Sequence, residues 1–295
     1  MNWRRAVLAD LPDLEQFLIR KEVQCVGFSA WLKDKIISTP HIRNDFTVYI
    51  RRDKDHVTGA DAIDEAVLIT EQGLVYPIIV KRPPGHDHGL HELYHHFHRE
   101  PPQVNSIIGV TRAVDMICNL LRRPVRAKVD YHLMYLGELD RDTPLPAQPR
   151  DVKIRRATAA DVTALYDLQR RYEIEEVCLN PDQFNETACY AHLKDSLRRE
   201  VIYMAERAGR PVAKAGTNAC GYRIWQIGGV FTRAEERGRG LGKLLMKAVV
   251  DCARKNDKST CLFVKKTNKA AIMLYDRLGY ETIDSFRITY FRNGC

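Results

Sequence analysis

Long apolar runs are absent from this 295-residue chain. No stretch approaches the ~18 consecutive apolar residues that a membrane-crossing helix needs, and no basic segment followed by an apolar one opens the sequence. Neither membrane insertion nor secretion is expected, and a cytoplasmic location is. No C-x-x-C pair occurs among the eight cysteines, Cys25, Cys118, Cys178, Cys189, Cys220, Cys252, Cys261 and Cys295. Reduced thiols are therefore expected rather than disulfides or a thiolate zinc site. Also missing is a basic run interleaved with stacking aromatics, which argues against nucleic acid as a partner although the net charge is +8.

That charge is unevenly placed. Residues 1–150 carry 20 Lys and Arg against 20 Asp and Glu, and the remaining residues carry 26 against 18, so the whole excess sits in the second half. A chain of this length has room for about two domains, each able to bury a core. An internal repeat marks where they meet: Trp3-Arg4-Arg5-Ala6-Val7-Leu8-Ala9-Asp10-Leu11 returns as Ile154-Arg155-Arg156-Ala157-Thr158-Ala159-Ala160-Asp161-Val162. Both copies read as a strand running into a helix capped by Asp10 or Asp161. Ahead of the second copy, Asp140 to Pro149 is polar and proline-containing, as interdomain linkers are. The division expected is 1–139, a linker 140–150, and 151–295.

In the second half, an apolar strand, Ile224 to Phe231, precedes Arg237-Gly238-Arg239-Gly240-Leu241-Gly242-Lys243, which opens the helical pattern Leu244 to Val250. Glycines at 238, 240 and 242 let backbone turn sharply and approach a ligand, and free N–H groups then converge at the positive end of a helix dipole. An anion belongs there. The spacing is neither the dinucleotide pattern G-x-G-x-x-G nor the P-loop G-x-x-x-x-G-K-S/T, because Leu244 follows Lys243.

The segment resembles motif A of the GNAT superfamily of acyl-CoA N-acyltransferases, Q/R-x-x-G-x-G/A, with Arg237, Gly240 and Gly242 in the defining places. Asn268-Lys269-Ala270-Ala271-Ile272-Met273-Leu274-Tyr275-Asp276-Arg277-Leu278-Gly279-Tyr280 is similar to the second family signature, N-x-x-A-x-x-L/F-Y-x-x-x-G-F/Y. The resemblance covers residues 151–295. It implies an α/β (α+β) fold with a mixed, mostly antiparallel GNAT-like sheet flanked by helices. It also implies acetyl-CoA as co-substrate, no metal, and an amine acceptor, either a small molecule or a protein. Cofactor contacts would come from Val230, Phe231, Arg237, Gly238, Arg239, Gly240, Leu241, Gly242, Lys243 and Asn268. Arg233, Lys265, Lys266 and Lys269 add to the basic surroundings where the phosphates of coenzyme A would lie.

Amide formation needs the amine to lose a proton before it attacks the thioester, a donor for the tetrahedral oxyanion, and a proton for the departing thiolate. By resemblance, Tyr275 is the general acid and the backbone N–H near Val230 the oxyanion donor; a tyrosine packed under the sheet is the alternative for Tyr275. Many relatives carry a Glu on the strand before motif A, but Ile224-Trp225-Gln226-Ile227-Gly228-Gly229-Val230 holds no carboxylate. Glu175 and Glu176 fall in the region of the acceptor-site helices and are the candidates for the base, acting directly or through water; ordinary exposed helix charges are the alternative for either one. The alternative to an enzyme is a non-catalytic acyl-CoA-binding sensor.

The first half reads as a degenerate second copy or as an unrelated α+β domain. A second echo, Gly109 to Ala113 against Gly229 to Ala234, runs from Val110 into a helical pattern with no glycine run, so no cradle is expected there. Six of the ten histidines lie between His86 and His98. His91 and His95 would share a helix face, with His88 near, but no H-E-x-x-H accompanies them and a solvated polar segment is expected. Expected elements of the second half are strands Val152–Arg156, Val201–Arg207, Val212–Thr217, Ile224–Phe231, Cys261–Lys265 and Phe286–Phe291, with helices Ala160–Arg171, Phe184–Arg198 and Lys269–Leu278 besides the motif helix.

Overall fold

The computed structural model describes residues 3–38, 46–52, 62–80, 89–137 and 146–292. The chain forms two compact units, one of residues 1–133 with 283–295 and one of residues 134–282. Its elements run through one sequence of types twice. The first pass is β1 (Trp3–Arg5), α1 (Leu11–Lys21), α2 (Val26–Ser38), β2 (Phe46–Arg52), β3 (Ile63–Thr70), β4 (Leu74–Ile78), α3 (Leu90–Arg99), β5 (Ser106–Val110), α4 (Thr111–Leu121) and β6 (Val125–Leu136). The second is β7 (Val152–Arg156), α5 (Val162–Tyr172), α6 (Glu186–Arg199), β8 (Ile202–Arg207), β9 (Arg210–Cys220), β10 (Ile224–Thr232), α7 (Leu241–Lys255), β11 (Ser259–Lys265), α8 (Lys269–Asp276) and β12 (Glu281–Phe291).

The first unit orders its strands β1-β2-β3-β4-β5-β12. The pairing of β4 with β5 is parallel, and β12 runs antiparallel to β5 from Phe286↔Val110 to Tyr290↔Ser106. Arg287 of β12 binds Asp115 of α4 at 2.6 Å and Asp130 of β6 at 2.7 Å. The second unit orders its strands β11-β10-β9-β8-β7, antiparallel except for β10 with β11. Met134 and Leu136 from the end of β6 lie in its core. The sheet is thus mixed and mostly antiparallel with helices against it, as expected for this fold.

Helical periodicity sets the two layers of the second unit. On α7, Leu241, Leu245, Met246, Val249 and Val250 recur at helical spacing and pack with Ala205, Ala213, Ala215 and Ile227. Leu165 and Leu168 of α5 and Leu193 and Leu197 of α6 pack with Ile202, Met204 and Phe231. Each such side chain contributes ~1.5–3 kcal/mol on burial.

The sequence repeat is also a repeat of geometry. Arg4 forks onto Asp10 at 2.7 and 2.6 Å while Asp10 accepts the Val7 N–H. Arg155 forks onto Asp161 at 2.9 and 2.7 Å while Asp161 accepts the Thr158 N–H. The carboxylate therefore closes the turn before the helix and anchors the strand beside it. The second echo has a different place. Gly109 to Ala113 covers the end of β5 and the start of α4, whereas the element order makes β4 the counterpart of β10. The counterpart of the glycine-rich turn is then residues 81–88, with His86 and His88, which lie outside the described residues. Gly89, at φ +60°, caps α3 as Gly240, at φ +78°, caps α7.

Candidate functional site

The site of the second unit begins where β10 stops pairing evenly. Parallel pairing with β11 runs from Ile224↔Ser259 to Ile227↔Leu262, and pairing with β9 shifts register between Gly228 and Phe231. This is a β-bulge, the device by which strands re-aim backbone groups next to binding sites. Gly229 makes it possible. Its φ is +61°, and a Cβ there would stand 2.9 Å from Nζ of Lys214. Its N–H donates to the Tyr172 hydroxyl, which burial pushes up to about 12.

The glycine-rich turn follows directly. Gly238 and Gly240 have φ of +77° and +78°, the left-handed region that glycine enters without a Cβ penalty. The turn delivers the N-terminus of α7, a helix of 15 residues, whose first N–H groups have no intrahelical partner. Leu241 is buried under it, while Gly242 packs its first turn against Leu274 of α8. Arg237 and Arg239 are exposed; Arg237 donates to the Thr232 carbonyl and to Glu175 at 2.7 Å, and Arg239 lies 3.6 Å from Glu236. Arg233, grouped with the phosphate-binding cations on sequence, is instead structural. It is 2% exposed, donates to the Pro211 carbonyl and pairs with Asp167 at 2.6 Å.

Three of the residues singled out on sequence meet beside the bulge. Tyr275 is buried on α8; burial, with the Tyr172 hydroxyl and the Glu176 carboxylate nearby, holds its phenol protonated far above its ordinary range. Asn268 caps α8 by accepting the Ala271 N–H, and its amide donates to Glu176 at 3.3 Å. Glu176 and Glu175 lie on a π-helical turn, Glu173–Val177, that continues α5. Such turns widen a helix locally and often mark functional sites. Phe231 turns its ring into the core beside Tyr172, with the Arg237 guanidinium 5.5 Å from the ring centroid, and Val230 is half-buried.

Sequence reasoning did not find Glu173, His192 or Lys214. Glu173 accepts from Gln169 at 2.9 Å and lies 3.5 Å from Nδ1 of His192 on α6. Burial resists its charge, but His192 and Gln169 prevail and hold its carboxyl below the usual range. Lys214 is buried within β9, and its Nζ lies 4.6 Å from the centre of the Tyr172 ring. A lysine flanked by Ala213 and Ala215 in a strand with a run of buried residues was the available signal.

In the first unit, Arg112 of α4 donates to the carbonyls of Ile79 and Val80, just beyond β4. A side chain thus ties down the carbonyls next to the end of the strand that corresponds to β10. Among the described histidines, His96 contacts the Trp3 carbonyl at 3.0 Å and His98 that of Tyr94 at 3.0 Å. No group of three metal-ligating residues occurs among the described residues.

Residues 162–280 match the family model described as Acetyltransferase (GNAT) family. This chain carries a GNAT-family domain. Solved structures are similar in fold over both halves. A Drosophila protein aligns over 98% of this chain and 98% of its own at a TM-score of 0.69 and 17% identity. A tandem GNAT protein from the clavulanic acid biosynthesis pathway aligns over 100% and 99% at 0.59 and 11%. A GCN5-related N-acetyltransferase from Sphaerobacter thermophilus aligns over 99% and 96% at 0.58 and 18%. These likenesses establish the fold, with a GNAT-like copy in each half. No curated protein matches the chain in sequence. No helix among the described residues is long and apolar enough to cross a membrane.

Proposed function

We propose that this protein is an N-acyltransferase that moves an acetyl group from acetyl-CoA to an amine at the bulge of β10. The observation that carries the reading is the succession of an interrupted parallel pair, a left-handed glycine turn and a helix N-terminus, with a buried, protonated tyrosine on the next helix. The GNAT family model over the same residues supports it. Backbone N–H groups from Gly238 to Lys243 would hold the pyrophosphate, helped by Arg237 and Arg239. The backbone of Val230 and Phe231 would pair with the pantetheine arm, and Asn268 would hold the far wall through its cap on α8. No step needs a metal.

In the reaction the amine lone pair attacks the thioester carbon while a backbone N–H at Val230 stabilises the oxyanion. Collapse expels the thiolate, which takes its proton from Tyr275. Burial keeps the Tyr275 phenol in the protonated form that this donation requires. Glu175 and Glu176 are the carboxylates on the acceptor side that can take the amine proton directly or through water.

The test is acetylation of a panel of acceptors, comprising a peptide N-terminus, an Nα-blocked lysine, benzylamine and glucosamine, read by mass spectrometry. One acetylated amine supports the reading and identifies the acceptor class. Binding of acetyl-CoA with no product from any acceptor would instead make the protein an acyl-CoA sensor.

A further inference from the structure

Behind the bulge lies a charged group that the cradle does not use. Lys214 stands opposite Phe231 of β10 and Met204 of β8, is 4% exposed, and reaches the backbone of Gly229 because no Cβ intervenes. The groups facing it are Tyr172 from the end of α5, Glu173 from the π-helical turn that follows, and Cys189 and His192 from α6. Burying a lysine is costly unless neighbours compensate, and here the Tyr172 ring and the Glu173 carboxylate do so in part. The desolvation that remains pushes the Lys214 ammonium down to about 8, against the pull of the Glu173 carboxylate. Cys189 is itself pushed up to about 11 by burial and stays a neutral thiol. His192, two-thirds exposed and hydrogen-bonded to Glu173, links the group to solvent.

We propose that Lys214 is the catalytic base that takes the proton from the attacking amine. The proposal rests on the acyl-transfer reading above. As the amine nitrogen bonds to the thioester carbon, its N–H proton passes to the lone pair of Lys214 Nζ and the carbonyl π pair moves to oxygen. The oxyanion then re-forms the carbonyl, the C–S bond breaks, and the thiolate takes the Tyr275 proton. The Lys214 proton returns to the Tyr275 phenolate through water as the products leave, so one proton has moved from amine to thiol. The carboxylates that compete for this role are Glu175, which accepts from Arg237, and Glu176, which accepts from Asn268.

The experiment compares wild-type full-length protein with Lys214→Arg, which cannot give up its proton, and Lys214→Met, which matches the stem. Each is measured with acetyl-CoA and an acceptor from the panel that wild type turns over. Wild-type kcat should rise with pH through an apparent pKa near 8. Both variants should bind acetyl-CoA within ~3-fold of wild type, lose that limb, and fall in kcat by ~100-fold or more. A flat wild-type kcat from pH 6 to 10 would overturn the proposal even if neither variant folds. A fall in kcat with the limb unchanged would overturn it too, by making Lys214 structural, and so would a limb that disappears in Glu176→Gln instead. No turnover by wild type with any acceptor would remove the acyl-transfer reading itself, an outcome distinct from these.

Discussion

Arg237 donates through Nη2 to Glu175 at 2.7 Å, joining the opening of the glycine-rich turn to the π-helical turn after α5. Both side chains are about half exposed, so the pair itself is worth ~0–1 kcal/mol. A pyrophosphate offers Arg237 more negative charge than one carboxylate does. Arg237→Ala should therefore weaken coenzyme A binding by ~10-fold, equivalent to about 1.4 kcal/mol, while Glu175→Gln should leave it unchanged or slightly tighter. Calorimetry at low salt decides; weaker binding in Glu175→Gln would mean that the ion pair builds the site.

The two left-handed glycines differ in their surroundings. A Cβ on Gly238 meets nothing within 4 Å, so Gly238→Ala should cost only the ~1–2 kcal/mol of the left-handed backbone. A Cβ on Gly240 would stand 2.7 Å from Cγ of Pro146. Gly240→Val should therefore lose more stability in urea unfolding and should also weaken acyl-CoA binding. Equal losses in the two variants would contradict this.

Tyr275→Phe keeps a ring in the core and removes the hydroxyl alone. The expected result is a fall in kcat of ~10²-fold or more with acetyl-CoA affinity nearly intact. A change confined to KM would give Tyr275 a binding role.

The repeated arginine–aspartate clamp makes a prediction about acid stability. The Arg155 guanidinium, with the Thr158 N–H, holds Asp161 down to about 2 from an ordinary value of 3.8. A depressed carboxyl contributes stability above its unfolded pKa and loses it as pH falls through the folded one. Asp161→Asn should therefore destabilise by a similar amount at pH 7 and pH 5, and the difference should close only as pH drops below about 4 toward 2. Asp10, clamped by Arg4 and Arg52, should behave alike. Thermal melts of both variants across that range measure it.

Much of the site was legible because its chemistry is local. Gly238 and Gly240 specify left-handed backbone, the Leu241 to Val250 pattern specifies an amphipathic helix, and Asn268 and Gly279 specify the two ends of α8. The clamp repeat was readable for the same reason. What local pattern does not carry is partnership across the sequence. Nothing in Phe286 to Phe291 says that β12 will pair with β5, and the echo at Gly109 pointed to the wrong strand because element order, not sequence similarity, relates β4 to β10. Lys214 went unnoticed because its importance comes from Tyr172, 42 positions earlier, and from a glycine on the neighbouring strand. Glu173 is marked by the switch of α5 to π-helical geometry, which no residue in the run announces.

The central claim is acyl transfer at the β10 bulge, and thiol release from saturating acetyl-CoA tests it most directly. Wild type should release coenzyme A in the presence of one class of amine and far more slowly without it, while Tyr275→Phe at the same saturation should release it ~10²-fold more slowly than wild type. Release that is independent of any amine, or equal in wild type and Tyr275→Phe, would contradict the account.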